Sequence, residues 1–274
     1  MDLSETQIHR YARHIILPEI GGIGQEKLLA ARVLVIGAGG LGAPLVQYLA
    51  AAGIGTLGVA DNDAVDLSNL QRQVIHRTSD IGMAKAESAR QAAAAINPDC
   101  RVVAHLQRVT ADNVAGLVAQ YDIVADGSDN FATRYLLNDA CYLARKTLVS
   151  AAILRFDGQL STWKAYLGPP HPCYRCLFAE PPPADSVPSC AQAGVLGAMA
   201  GTMGALQAGE IIKEVLGVGD SLSGTLLLHD ALAGRFDRLT ISRNPDCALC
   251  GAAPTIRDLD SPAARASYGA VDAG

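Results

Sequence analysis

Residues 33–60 are almost wholly apolar, with polar side chains only at Gln47 and Thr56, yet seven glycines and Pro44 break the run. A membrane span needs ~20 unbroken apolar residues. The breaks instead fit a buried strand, a tight loop, a helix and a second strand. Val33–Ile36 reads as the first strand, and Leu41 to Ala52 as a helix with Pro44 tolerated in its first turn and Gly53 stopping it. Ile54–Ala60 reads as the next strand. Between strand and helix, Gly37-Ala38-Gly39-Gly40-Leu41-Gly42 matches G-x-G-x-x-G in the context that gives the motif physical meaning. Backbone N–H groups and the helix dipole favour an anion there, and Asp61, about twenty residues beyond Gly42, is placed to accept ribose hydroxyls.

The alternation continues. Helices are expected near 84–96, 114–119 and 131–145, and strands at 102–106, 122–125 and 147–152. Ser4-x-x-Gln7 reads as a capping box opening a short helix that carries Arg10 and Arg13. Strands alternating with helices predict an α/β fold with a doubly wound, Rossmann-like, mainly parallel sheet. After Ile153 the texture changes: Asp157-Gly158 reads as a hairpin turn, so an antiparallel extension is expected. A Pro-rich excursion follows over 167–188, then one long helix over 194–216 and strands at 225–229 and 235–241. We therefore expect an N-terminal helical segment (1–30), a nucleotide-binding part (31–152), a C-terminal part of the same compact domain (153–250) and a mobile tail (251–274).

Composition excludes several classes. With 22 Lys plus Arg against 27 Asp plus Glu, the net charge is −5, which argues against a nucleic-acid binder driven by bulk charge. Half the residues are apolar and 18% charged, so the chain is not disordered. The acidic start, Met1-Asp2-Leu3-Ser4-Glu5, lacks a secretory pattern, and a cytoplasmic, non-membrane protein is expected.

Seven cysteines in such a chain point to metal or nucleophile roles, not to a disulfide framework. Cys173 and Cys176 form one C-x-x-C pair, Cys247 and Cys250 another. Together they supply four soft thiolates with no open position, the pattern of a structural Zn²⁺ site; two unrelated redox pairs are the alternative.

The glycine loop by itself fits NAD, so an NAD-dependent oxidoreductase is one reading. Asp61-Asn62-Asp63, the run Ser68 to Gln73 and Lys85 follow it closely. A dinucleotide has little need for further cations, whereas a triphosphate losing pyrophosphate needs several, and Arg13, Arg72 and Lys85 are the candidates unless they are merely solvated. Asp129 lies just beyond a central strand, where open α/β sheets place ligands, and suits Mg²⁺; capping the helix at Phe131 is its alternative role.

Arg10-Tyr11-Ala12-Arg13, Gly37 to Gly42, Asp61-Asn62-Asp63, Ser68-Asn69-Leu70-Gln71-Arg72-Gln73, Gly127-Ser128-Asp129-Asn130 and Cys173-Tyr174-Arg175-Cys176 together resemble the MoeB/ThiF/HesA adenylyltransferases. These are the bacterial relatives of ubiquitin-activating enzymes. The resemblance implies ATP-dependent adenylation of the C-terminal Gly-Gly carboxylate of a small ubiquitin-like sulfur carrier, MoaD-like or ThiS-like, in molybdopterin or thiamin biosynthesis. On that resemblance Gly37, Gly39, Gly40 and Gly42 form the phosphate loop and Asp61 and Asp63 lie by the nucleotide. Asn69, Arg72, Gln73 and Lys85 meet the phosphates, and Asp129 holds Mg²⁺. Arg13 would reach the nucleotide of the other subunit, implying a homodimer, and sulfur would come from a separate donor protein. Gly127-Ser128 replaces the Cys-Thr usual before the aspartate. Cys190, ahead of the long helix whose positive end would lower its pKa, matches a position that in ThiF-like members joins the carrier through sulfur; an inert packed cysteine is the alternative. A zinc-containing scaffold without catalysis is the remaining reading.

Overall fold

A computed structural model describes residues 3–183, 186 and 190–269, with the side chains of residues 190 and 191 left out. Ser4 caps α1 (Glu5–Arg10) through the expected capping box with Gln7, and α2 (Ala12–Ile15) and α3 (Gly21–Ala30) complete the N-terminal segment. Then β1 (Arg32–Ile36), α4 (Gly42–Ala52) and β2 (Thr56–Ala60) follow, with Gly53 ending α4 in the left-handed region at φ 87°. Next come α5 (Lys85–Ile96), β3 (Arg101–His105), α6 (Val114–Val118), β4 (Ile123–Asp126), α7 (Phe131–Leu143) and β5 (Thr147–Leu154). The C-terminal part adds β6 (Asp157–Trp163), α8 (Tyr174–Leu177), α9 (Cys190–Ala193), α10 (Gly197–Leu216), β7 (Thr225–Asp230), β8 (Arg235–Thr240) and α11 (Pro262–Tyr268).

All eight strands join one sheet in the order β3-β2-β1-β4-β5-β6-β7-β8. From β3 to β5 the pairing is parallel, and from β5 to β8 antiparallel. Because the parallel strands are covered on both faces, they read as continuous apolar runs and not as alternation: Val33, Leu34 and Val35 are all fully buried. One core lies between the sheet and α4, α5 and α10, the other between the sheet and α6, α7 and α11.

Three expectations need correction. The β5–β6 turn is Arg155-Phe156, with Arg155 at φ 54°, and Asp157 already pairs with Leu154. Gly158 is required for another reason: a Cβ there would meet Met203 of α10 at 2.6 Å, so its absence lets the helix seat on the sheet. The long helix begins at Gly197, not at 194, and Cys190 opens the separate four-residue α9. Finally, the segment from Gly251, read as mobile, docks: α11 packs on α7, and Ile256, Ala264 and Tyr268 are buried. Residues 270–274 lie outside the described residues.

Candidate active site

Strand order reverses between β1 and β4, since the chain steps outward from β1 to β3 and then returns to β4 on the other side. That switch point opens a crevice at the C-terminal strand ends. A cavity of about 830 Å³ occupies it, floored by Ile36, Ala60 and Gly127. Gly37, at φ 90°, turns the chain, and a Cβ on Gly42 would sit 1.8 Å from the Gly37 carbonyl, so side chains are excluded at both. Among the described residues the N–H groups of Gly39, Gly40 and Leu41 have no protein acceptor. These are the free donors of a helix start, and Gly39, Gly40 and Leu41 all line the cavity.

Asp61 directly follows β2 and braces this loop. Its Oδ2 accepts the Ala38 N–H at 2.8 Å and its Oδ1 the Asp63 N–H at 2.8 Å. Burial pushes its carboxyl above the usual aspartate range, against those two hydrogen bonds and the charge of Lys85. Lys85, at the start of α5, is buried and pairs with the exposed Asp63 at 2.7 Å. Arg72 stands on the turn after residues 67–69, its Nη1 donating to the Ser68 carbonyl at 3.0 Å. Gln73 lines the cavity and is buried, its Oε1 without a hydrogen-bond partner among the described residues.

Across the switch point, Asn130 takes the cap of α7, accepting the Thr133 N–H at 2.8 Å. Asp129 is thereby released from the capping role. It is exposed, lines the cavity and has no hydrogen-bond or ionic partner among the described residues.

The structure thus gathers Gly37, Gly39, Gly40, Asp61, Asp63, Arg72, Gln73, Lys85 and Asp129 around one cavity. Gly42 lies behind the loop. Asn69 does not line the cavity; it shapes the turn, its Oδ1 accepting the Asp66 N–H and its carbonyl the N–H groups of Arg72 and Gln73. Arg13 is elsewhere. Its segment packs at the far end of α4, where Tyr11 meets Gly53, roughly 16 Å of helix away from the glycine loop. Cys190 does not stand at the start of the long helix, so the argument for a lowered thiol pKa from that helix falls, and its side chain lies outside the described residues.

Several residues that hold the site escaped the sequence reading. Asp126, fully buried at the end of β4, accepts from the Ser128 N–H and hydroxyl and from the Ser150 hydroxyl at 2.7 Å. Arg134 of α7 donates to the carbonyls of Ser128 and Ala151, tying the Asp129 loop to β5. The Gln207 amide of α10 donates to the carbonyls of Asp126 and Val149. The one legible signal was a polar residue in an otherwise apolar strand or helix face. The cavity continues past Asp129 to an aromatic wall of Trp163, Tyr174 and Phe178, the ring of Tyr174 lying edge-on to Trp163 at 5.7 Å.

Beyond that wall the four thiols converge. Their Sγ atoms all lie within 4.8 Å of one another, at 3.8 Å for Cys173–Cys176, 3.5 Å for Cys173–Cys247 and 3.4 Å for Cys176–Cys250. A tetrahedral zinc with sulfur at about 2.3 Å needs sulfur–sulfur edges of about 3.8 Å. The two C-x-x-C pairs therefore face each other as one cluster, and the reading of two separate redox pairs is excluded.

Fold, glycine loop and cavity-facing cations define the class: an α/β nucleotide-binding protein with a four-cysteine cluster. The family model described as "ThiF family" matches residues 11–249, and the chain belongs to that family. It is 49% identical over 261 residues to the sulfur carrier protein adenylyltransferase of Thermus thermophilus, covering 94% of this chain and 96% of that one. To the SAMP-activating enzyme E1 of Haloferax volcanii it is 50% identical over 262 residues, covering 95% and 96%. The adenylyltransferase and sulfurtransferase MOCS3 of Bos taurus is 52% identical over 258 residues, 94% of this chain but 56% of that longer one. Among solved structures, MccB of E. coli with ATP overlays with a TM-score of 0.76 at 22% identity, covering 90% of this chain and 75% of that one, a likeness of fold.

Proposed function

We propose that this protein uses ATP to adenylate the C-terminal Gly-Gly carboxylate of a small ubiquitin-like sulfur-carrier protein, releasing pyrophosphate. The observation that carries the reading is that Arg72, Lys85 and Asp129 line the same cavity as the glycine loop with its free N–H groups. A nicotinamide enzyme needs no such convergence of charge. The names of the full-length relatives in Thermus and Haloferax support it.

A carboxylate has no usable leaving group, whereas its mixed anhydride with AMP does. The carrier's terminal oxygen attacks the α-phosphorus as the bond to the pyrophosphate oxygen breaks. The loop N–H groups, Arg72 and Lys85 receive the charge that moves onto pyrophosphate, and being fixed beforehand they need little reorganisation. Asp61 holds the ribose end. The exposed, unpartnered Asp129 carboxylate is a hard oxygen donor that fits Mg²⁺, an ion that would offset phosphate charge when bound. The extension of the cavity along β5 and β6 to the aromatic wall is the course we assign to the carrier's extended tail. Four cysteines in tetrahedral spacing fit Zn²⁺, pinning α8 to the loop after β8.

Arg13 has no place in its own subunit's cavity, so its role requires a second copy, and a homodimer is part of the proposal. We place the reaction in the cytoplasm, ahead of sulfur transfer from a separate donor protein; no helix among the described residues is long and apolar enough to cross a membrane. Exchange of labelled pyrophosphate into ATP, stimulated by a carrier ending in Gly-Gly, tests the reading. Exchange absent with MoaD-like and ThiS-like carriers alike would sink it.

A further inference from the structure

His76 lies behind the glycine loop, buried at 6% exposure, and does not line the cavity. Its Nε2 is 2.9 Å from the Ala38 carbonyl, and its Nδ1 is 2.8 Å from the Ser88 hydroxyl. A carbonyl has no hydrogen to give, so Nε2 carries a proton. The Ser88 hydroxyl donates to Asp80 Oδ2 at 2.8 Å, and Asp80 also accepts from the Arg77 N–H and the Ser79 hydroxyl. The ring is therefore clamped from the side away from the loop.

The clamp has a consequence on the cavity side. The Ala38–Gly39 peptide is trans, so its carbonyl and its N–H point in opposite directions. Drawing the Ala38 oxygen onto His76 turns the Gly39 N–H away from His76, toward the cavity that Gly39 lines, and that N–H has no protein acceptor among the described residues. Asp61 pins the preceding peptide by accepting the Ala38 N–H at 2.8 Å. We infer that His76, through its Nε2–H, is a positioning residue that aims the Gly39 N–H at a nucleotide phosphate oxygen, with Ser88 fixing the ring. The inference rests on the nucleotide reading above. Burial, aided by Lys85, lowers the His76 pKa, against the Ala38 carbonyl, Asp61 and Asp80.

The test compares His76→Gln, whose amide N–H reaches where Nε2 stands, with His76→Phe, which fills the space without a donor. ATP dissociation constants come from calorimetry, and zinc content and melting temperature report folding. We expect His76→Phe to weaken ATP binding at least tenfold, about 1.4 kcal/mol, through KM for ATP, with His76→Gln within threefold of wild type. Equal binding by the Phe variant, or equal loss in both, overturns the inference. Imidazole ¹⁵N spectra of the wild-type chain decide it even if the Phe variant does not fold: a proton on Nδ1 with Nε2 bare refutes it. Wild-type protein that binds no ATP would instead bring down the nucleotide reading itself.

Discussion

Removing one oxygen from the C-terminal helix tests whether the segment after Gly251 belongs to the fold. Tyr268 is fully buried in α11, and its hydroxyl donates to Asp139 Oδ2 at 2.6 Å. Burial, with Asp139 beside it, pushes the Tyr268 hydroxyl above its ordinary range, so it stays a donor at any working pH. Asp139 also accepts from Arg175 Nε and Nη2, at 2.8 and 2.7 Å, and from the Asn138 amide at 3.0 Å. Tyr268→Phe therefore leaves the buried carboxylate paired but one bond poorer. A hydrogen bond to a charged acceptor is worth about 1.5–3 kcal/mol, and the remaining partners put the loss near the lower end. At roughly 2.1 cal/mol/K of unfolding entropy per residue, a chain of this length melts about 3 °C lower for about 1.5–2 kcal/mol. Tyr268→Ala adds a cavity and should cost about 4 kcal/mol, or about 7 °C. Scanning calorimetry at neutral pH reads both. A Phe variant melting with wild type, or a chain ending at Gly251 that melts unchanged, would refute the docking of α11 through the Asp139–Arg175–Tyr268 contacts.

Arg72→Ala and Asp129→Asn should each lower carrier-dependent pyrophosphate exchange by about a hundredfold or more, with melting temperature and zinc content unchanged; retained exchange would remove them from the phosphate site. Metal analysis should find one zinc per chain, with X-ray absorption reporting four sulfurs at about 2.3 Å, and Cys173→Ser should lose the metal and lower the melting temperature. Burial lowers the pKa values of His76, His105 and His171 from the ordinary 6.5. The unfolded chain then binds protons that the folded one refuses, so stability is full above pH about 6.5 and falls as pH drops through the lowered values. Melting temperatures that rise on going from pH 7 to pH 5.5 would contradict that sign.

Local signals in the sequence proved sound where structure is set by neighbours along the chain. Ser4 with Gln7, Gly53 after α4, and the glycine loop each satisfy or free backbone groups within a few residues, so spacing alone predicts them. Asp157-Gly158 carried the same kind of signal and misled, because Gly158 is needed to admit Met203 from α10, a contact that no local pattern encodes.

The site divides the same way. Residue type marked the glycines, Asp61, Arg72, Lys85 and Asp129, which the folded chain brings to one cavity, and the four cysteines, which it brings into one cluster. Only the folded chain decided that Asn130 caps α7 and leaves Asp129 exposed, that Asp126, Arg134 and His76 brace the crevice from behind, and that Tyr268 reaches Asp139 across 129 positions of chain. A buried polar group stays only where its partners arrive, and those partners come from surfaces that meet when the core closes, so the amino-acid order could name the chemistry while the packing had to choose who takes part.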